Sequence, residues 1–199
     1  LRDQLESLWR SLGALAVTQN YVEGDDILGY LAAHTEEELV VVTGDGDLAV
    51  LNGDNAYGGR TQVYIGGTLG ENKYGPFPHR FITLYKALVG DASDNIKGCP
   101  GFGKESWIKF YTEFDDYGCD QLLQLCEARS LEPLAEDAET NKFVKMIYTN
   151  REAVVRSYRL AKIYPEWVNS VSKPLVFKPG LTLPAPEVVD ERLAHWYGK

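Results

Sequence analysis

Seven carboxylates of this 199-residue chain fall in three short groups. Glu23, Asp25 and Asp26 occupy an expected turn between a strand and a helix. Asp45 and Asp47 lie just beyond the carboxyl end of an apolar, β-branched run. Asp91 and Asp94 follow the end of another expected helix. In open α/β sheets, ligands bind at the carboxyl edge of the strands. Asp45 and Asp47 are two apart, so extended backbone would send both side chains to one face. Asp91 and Asp94 are three apart, so in a helix they would be neighbours. Should the three groups meet, carboxylates about 4 Å apart repel by roughly 4 kcal/mol at an effective dielectric of 20. Such a pocket requires protonation or cations. With oxygen donors only and no Cys or His beside them, the expected ions are Mg²⁺ or Mn²⁺ rather than zinc. Two such ions suit phosphodiester chemistry, because they lower the pKa of an attacking water and stabilise the departing oxygen.

Any one of these pairs alone is more often a helix cap, a turn former or a solvated acid. Three such groups at ligand-facing edges favour a site. Asp45-Gly46-Asp47 also opens like a calcium loop, but Ala49, Val50 and Ala56 stand where that loop needs an oxygen donor, glycine and glutamate, which excludes an EF-hand.

The segment "GDASDNIKGCPGFGKES", residues 90 to 106, places Gly98, Gly103 and Lys104 at P-loop spacing. A P-loop follows a buried strand and needs Ser or Thr after its lysine to hold Mg²⁺. Here a helix precedes the glycines and Glu105 occupies the Ser/Thr position, so a P-loop NTPase is a remote alternative. The competing reading is two helices joined by a tight turn. Gly98, Gly101 and Gly103 would let backbone approach a phosphate closely, and amides at the next helix N-terminus would bind it. Lys97, Lys104 and Lys109 add positive charge without reading any base.

The elements that hold these residues follow from hydrophobic spacing. Leu1, Leu5, Leu8, Trp9 and Leu12 predict a helix over 1–13, followed by a short strand over 14–18. "DDILGYLAAH" predicts a helix with acids in its first turn. "ELVVVT" reads as a strand buried on both faces of a parallel sheet. "LAVL" and "TQVYI" read as further strands across the polar turn "NGDNAYGG". A helix is expected from Pro78, with Phe81, Leu84, Tyr85, Leu88 and Val89 on its apolar face and Gly90 ending it. "ESWIKFYTEF", "DQLLQLCEA" and residues 140–162 are helical by pattern, and the proline-bearing tail is mostly extended. The fold class is therefore α/β with a mostly parallel sheet, changing to an all-helical region near residue 78.

Composition is ordinary for a globular protein, at 44% hydrophobic and 25% charged residues, and no apolar run approaches membrane-spanning length. No secretory signal is visible, and three cysteines without a C-x-x-C pair fit a reducing cytoplasm. Net charge is −9, which argues against coating nucleic acid through bulk positive charge. The charge is segregated, however. Residues 111–140 carry nine acids and one base, whereas 141–173 carry seven bases and two acids.

"YVEGDDILGYLA", "VVVTGDGDLAVL" and "LVGDASDNIKGCPGFGKESW" resemble, in order and spacing, the core blocks of the 5′ nuclease (flap endonuclease) family, with the closest likeness to bacterial and phage 5′-3′ exonucleases. The likeness covers about residues 1–160. It implies a metal-dependent nuclease that cuts 5′ flaps, duplex ends or nicked duplexes of DNA, with RNA as a further substrate, using two Mg²⁺ or Mn²⁺ ions. By resemblance, Glu23 and Asp25 hold the first metal, Asp45 lies between the two, and Asp47, Asp91 and Asp94 serve the second. Asp26 matches the motif and doubles as a helix-cap candidate. Asp45, Glu23 and Asp25 are the residues the resemblance makes catalytic. Residues 97–104 match a helix-hairpin-helix element that grips duplex, often with K⁺ held by backbone carbonyls. Gly24 and Lys97 stand where the family usually has alanine and proline.

Family members begin with an Asp-bearing strand and a basic helical arch, and the likeness here starts just after that arch. The resemblance therefore implies a fragment of a longer bacterial or phage protein, with the missing N-terminal segment as a partner. The expected organisation is a partial metal-binding core over 1–77, a helical DNA-binding region over 78–165 and a tail over 166–199. The main rival is a structure-specific DNA-binding module that holds duplex without cutting it.

Overall fold

The computed structural model describes residues 22–170; the helix and strand expected over 1–18 and the tail beyond 170 lie outside the described residues. Contacts divide the chain into two compact units: of the described residues, 28–165 form one, and 22–27 and 166–170 belong to the other. Helix α1 (Gly24–His34) opens the described chain with Asp25 and Asp26 in its first turn, where a helix dipole favours acids. The larger unit is α/β: a four-stranded mixed sheet followed by helices. Among the described residues no helix is long and apolar enough to cross a membrane.

Strand β1 (Glu38–Thr43) pairs in parallel with β3 (Arg60–Ile65), Val41 opposite Val63. Strands β2 (Gly53–Asp54) and β4 (Thr68–Leu69) both pair antiparallel with β3, which makes β3 central and the sheet mixed rather than mostly parallel. The antiparallel return from β3 to β4 has a local cause. Gly66 and Gly67 both take positive φ, +59° and +89°, which suits a tight two-residue hairpin turn.

The expectation that β1 is buried on both faces is corrected. Val41 is buried, whereas Val40 and Val42 are 54% and 76% exposed. An unbroken valine run carries no alternation to reveal this. "LAVL" is likewise not a strand: residues Gly46–Leu51 form a 3₁₀ helix. The Asp45 side chain caps it by accepting a hydrogen bond from the Asp47 backbone N–H at 2.8 Å. That cap turns the chain helical as soon as β1 ends. Leu48 then packs with Val41 and Val63 in a small core beneath the sheet, supported by Leu28, Leu39 and Ile163.

The helical part is organised around α2 (Ile82–Val89). Pro78 caps a 3₁₀ turn, His79–Phe81, that leads into it. Every residue from Ile82 to Leu88 is buried, so α2 runs through the interior rather than along a surface. It packs on α5 (Arg151–Ala161) and α3 (Lys104–Glu127). Tyr85 meets Trp107 edge-on and stacks with Phe77, and the aromatic contacts continue through Phe110 to Phe114. Helix α3 is broken at Asp115 (φ 51°, ψ −160°), whose carboxylate accepts from the Tyr117 N–H and restarts the helix. Arg80 ties the second half down through Asp116 at 2.9 Å and Asp120 at 3.1 Å. Helix α4 (Lys142–Thr149) precedes α5, and α6 (Pro165–Ser170) ends the described chain. Cys99, Cys119 and Cys126 are all buried and free, and burial raises each thiol pKa. They act as small apolar fillers.

Candidate metal centre

Asp47, Asp91 and Asp94 each bring a carboxylate oxygen to one place, all within 4.8 Å of one another. The larger unit builds this group from two directions. Asp47 sits in the first turn of the 3₁₀ helix after β1. Asp91 and Asp94 come from the loop that leaves α2 at Gly90. That loop is not helical. Asp91 and Ile96 exchange two backbone hydrogen bonds of 2.8 Å, closing a tight loop over residues 91–96. The Asp91 carboxylate also accepts from the Ser93 N–H at 3.0 Å and from its hydroxyl at 2.5 Å.

One cation sits among the three acids. The Lys86 ammonium lies 2.5 Å from Asp47 Oδ2, 3.0 Å from Asp91 Oδ2 and 2.6 Å from Asp94 Oδ2. Lys86 belongs to the buried helix α2 and its side chain is 4% exposed. The Tyr74 hydroxyl donates to Asp47 Oδ1 at 2.5 Å, with Asp91 Oδ2 3.2 Å away. Lys73, half-exposed, reaches Asp47 Oδ1 at 3.1 Å. Three carboxylates thus face two ammonium groups, one of them in the interior. Burial alone would raise the Asp47 carboxyl, but hydrogen bonds from Lys86, Tyr74 and Lys73 outweigh it and hold it below the ordinary value. Asp91 is likewise held low, burial being overcome by Ser93 and Lys86. For Lys86 burial opposes the charge, and Asp47, Asp94 and Asp91 together reverse the sign.

These signs fix an acid response. Depressed carboxyls contribute stability that is complete above their unfolded value of about 4 and is lost as pH falls through the lower folded values. The raised Lys86 contributes stability throughout the range below its unfolded value of about 10.4, and that is lost only as pH climbs through the folded value. Urea midpoints should therefore be nearly flat between roughly pH 6 and pH 9 and fall steeply below about pH 4. A midpoint that rises on acidification would contradict this arrangement.

The other acids singled out in the sequence have definite places. Asp45 is exposed and turns its carboxylate onto the Asp47 N–H; the backbone it shares with Asp47 is extended only at Asp45, because Asp47 is already in the 3₁₀ turn. Glu23, Asp25 and Asp26 belong to the other compact unit, at the start of α1. There Asp26 is buried and accepts a hydrogen bond from the Glu23 N–H at 3.4 Å.

Gly98 is buried and Gly101 exposed in the connection from α2 to α3, and Gly103 caps α3. The Lys97, Lys104 and Lys109 side chains are exposed, and none has an ion-pair partner among the described residues. Lys86, Tyr74 and Lys73 were not singled out from the sequence. A lysine inside the apolar run "FITLYKALV" was the available signal for Lys86. Tyr74 and Lys73 lie in an irregular loop and carry none.

The donor set fits a hard divalent cation: all three converging groups are carboxylates, and a positive charge already occupies their centre. No family model matches the chain. Curated relatives do. DNA polymerase I of Bacillus caldotenax is 40% identical over 106 residues, 48% of this chain and 12% of the polymerase. That of Bacillus subtilis is 36% identical over 130 residues, 60% of this chain and 14% of the polymerase. The 5′-3′ exonuclease of Halalkalibacterium halodurans is 28% identical over 193 residues, 92% of this chain. The chain thus spans 60% of that exonuclease's length and a much smaller share of the polymerases. A carboxylate cluster beyond the end of β1, together with relatives named 5′-3′ exonuclease that match 92% and 80% of the chain, leads to one conclusion: the chain belongs to the 5′ nuclease family.

Proposed function

We propose that the chain is the metal-binding and duplex-gripping part of a divalent-metal-dependent 5′-3′ exonuclease or flap endonuclease acting on DNA phosphodiesters. The observation that carries this reading is the convergence of Asp47, Asp91 and Asp94 within 4.8 Å. These three would hold one Mg²⁺ or Mn²⁺ ion. By resemblance, Glu23 and Asp25 would hold the other ion, with Asp45 between the two, while Asp26 is buried and accepts from the Glu23 N–H. When bound, the ions would supply an acidified water and charge neutralisation at the scissile phosphate. The chain's own residues do the rest. Tyr74 fixes the Asp47 carboxylate, Ser93 fixes that of Asp91, and Lys86 sets an ammonium against all three.

Residues 78–165 are assigned to the duplex. In this reading α2, the turn through Gly98, Gly101 and Gly103, and α3 form a helix-hairpin-helix element whose amides approach the phosphodiester backbone. Lys97, Lys104 and Lys109 flank it, and carbonyls of the turn would take K⁺. Their exposure without ion pairs supports the assignment.

A labelled 5′-flap duplex tests this reading. The complete protein should release a 5′ fragment with Mg²⁺ or Mn²⁺ and none with chelator. Asp47→Asn and Asp45→Asn should each lower turnover by ~100-fold or more, since losing even an outer partner of a metal ligand costs 10- to 100-fold. Duplex affinity should change by less than about threefold, because neither carboxylate contacts the backbone as a cation would. Binding without any cleavage would replace the nuclease reading with a non-cleaving, structure-specific DNA-binding module.

A further inference from the structure

We infer that an arginine-lined cavity on the flank of α5, apart from the acidic group and from the glycine turn, is a second phosphate-binding site that takes a backbone phosphate of duplex DNA. This rests on the reading of DNA as the ligand and extends it to a site that reading does not use. The cavity has a volume of about 360 Å³ and is bordered by Arg129, Arg151, Arg156 and Arg159 with two acids, Glu132 and Glu152. Four guanidinium groups against two carboxylates leave a local charge excess of +2. The chain as a whole carries −9. Composition therefore does not account for this concentration.

The cavity has a packed floor. Helix α5 turns Val154, Ser157 and Tyr158 inward, leaving Arg156 and Arg159 exposed on the other flank. Arg129 adopts a left-handed conformation (φ 57°) just past the end of α3, and Leu131, 1% exposed, anchors the chain after it. The arginines differ in availability. Arg151 is committed: its Nε donates to Glu132 at 2.8 Å, and its guanidinium lies 4.8 Å over the Tyr148 ring. Glu132 is further satisfied by the Tyr148 hydroxyl at 3.0 Å. Glu127, beside Arg129, is already paired with Lys162 at 2.7 Å. Glu152 is the remaining acid, and it forms no ion pair within 4.0 Å with Arg156, one helical turn away. Arg129, Arg156 and Arg159 are left without an ion-pair partner among the described residues.

Three unpaired guanidiniums bordering one cavity repel each other, and an oxyanion would relieve that repulsion. The planar guanidinium fork matches phosphate oxygens two at a time. The exposed rim lets a strand pass through, which favours a phosphate within a nucleic-acid backbone over a small anion enclosed on all sides. The same helix is also fastened to the glycine turn. Ser157 on its buried face accepts a hydrogen bond from the Gly98 N–H at 3.2 Å. The cavity and the turn are therefore carried by one packed assembly, and a single duplex could meet both.

The test is duplex binding by the whole chain in chelator, where cleavage plays no part, read by fluorescence anisotropy from about 50 to 300 mM salt. Arg156→Gln with Arg159→Gln should raise Kd at 100 mM salt by ~10-fold and flatten the log Kd against log salt slope by about 0.9 per lost phosphate contact. Arg129→Gln should act in the same direction. Lysine at 156 and 159 should restore the slope while recovering only part of the affinity, because the charge returns without the fork. Inorganic phosphate forms the second arm, followed through the arginine Nε–H NMR signals. Shifts of these signals by duplex at micromolar concentration support the site; shifts by millimolar phosphate alone, with none by duplex, overturn it. An unchanged salt slope in the glutamine variant, or no duplex binding at low salt, overturns it too. Failure of the nuclease reading would appear separately, as binding without cleavage.

Discussion

Replacing Lys86 with Met is expected to lower the stability of the metal-free protein by about 3 kcal/mol and to make its folding depend on divalent ions. Lys86 holds three carboxylates within 3.0 Å of one ammonium. Methionine keeps the length and apolar stem of the side chain but removes the charge. Breaking one side of a buried ion pair commonly costs about 3 to 5 kcal/mol. The low end applies here because Asp94 is 46% exposed and stays hydrated. Lys73 remains on the outer side of Asp47 but reaches only that carboxylate.

The pH dependence should change sign with the substitution. In the native protein Asp47 is held low by Lys86, Tyr74 and Lys73, and Asp91 by Ser93 and Lys86, so acid destabilises. In Lys86→Met the same carboxyls repel each other, their pKa values rise in the folded state, and lowering pH from about 7 to about 5 should stabilise the variant. Divalent ions should have the same effect by another route. A ligand at 100 times its Kd adds about 2.7 kcal/mol to the folded state. Mn²⁺ titrations followed by thermal melts would show a larger shift for the variant than for the native protein, since the native ion must compete with a resident ammonium. A variant as stable as the native protein, and indifferent to Mn²⁺, would mean that Lys86 is not the counter-charge of this group.

Lys86 also shows why part of the site was illegible in the sequence. Apolar spacing in "FITLYKALV" located the helix but not the fact that it is buried all round, and a lysine on a helix usually reads as its solvated face. Only the packing of α3 and α5 on α2 turns that lysine inward. Carboxylates at turns were easier to notice, because acids beside glycines after a strand or helix are conspicuous. What spacing did not give is their geometry. Asp45 and Asp47 looked equivalent as a two-apart pair, yet the 3₁₀ cap makes Asp45 a backbone acceptor and leaves Asp47 to meet Asp91 and Asp94. The sheet behaved similarly. The valine run located β1 and "TQVYI" located β3, both paired as expected of a parallel couple. The two-residue strands β2 and β4 are too short to leave a periodic signal, and "LAVL" has strand composition but is held helical by the preceding Asp45.

Gly98→Ala should be the most damaging single-methyl change in the connection from α2 to α3. Gly98 has φ +69°, and a Cβ there would lie 2.5 Å from Gly90 N, 2.8 Å from Leu88 O and 2.8 Å from Val89 C. All three are backbone atoms, so no side chain can rotate away. The left-handed conformation costs about 1 to 2 kcal/mol for a non-glycine residue, and forcing apart packed backbone adds roughly 1 to 3 kcal/mol. A total loss near 3 kcal/mol is expected, measured by urea unfolding. Gly101→Ala separates the two causes: φ is +79° there too, but the nearest atom to an added Cβ is the Met146 sulfur at 4.0 Å. It should lose only the conformational part, about 1 to 2 kcal/mol. The two should also differ in function. Gly90 directly precedes Asp91, so pushing Gly90 away from position 98 displaces the loop carrying Asp91 and Asp94, and Gly98→Ala should weaken Mn²⁺ binding. Gly101 is exposed and an added Cβ there would touch no atom of the loop carrying those acids, so Gly101→Ala should leave Mn²⁺ affinity intact and weaken duplex binding, provided that this turn is where backbone meets phosphate. Equal losses of stability in the two variants would show that the crossing of residues 88–90 with residue 98 is not what fixes the loop.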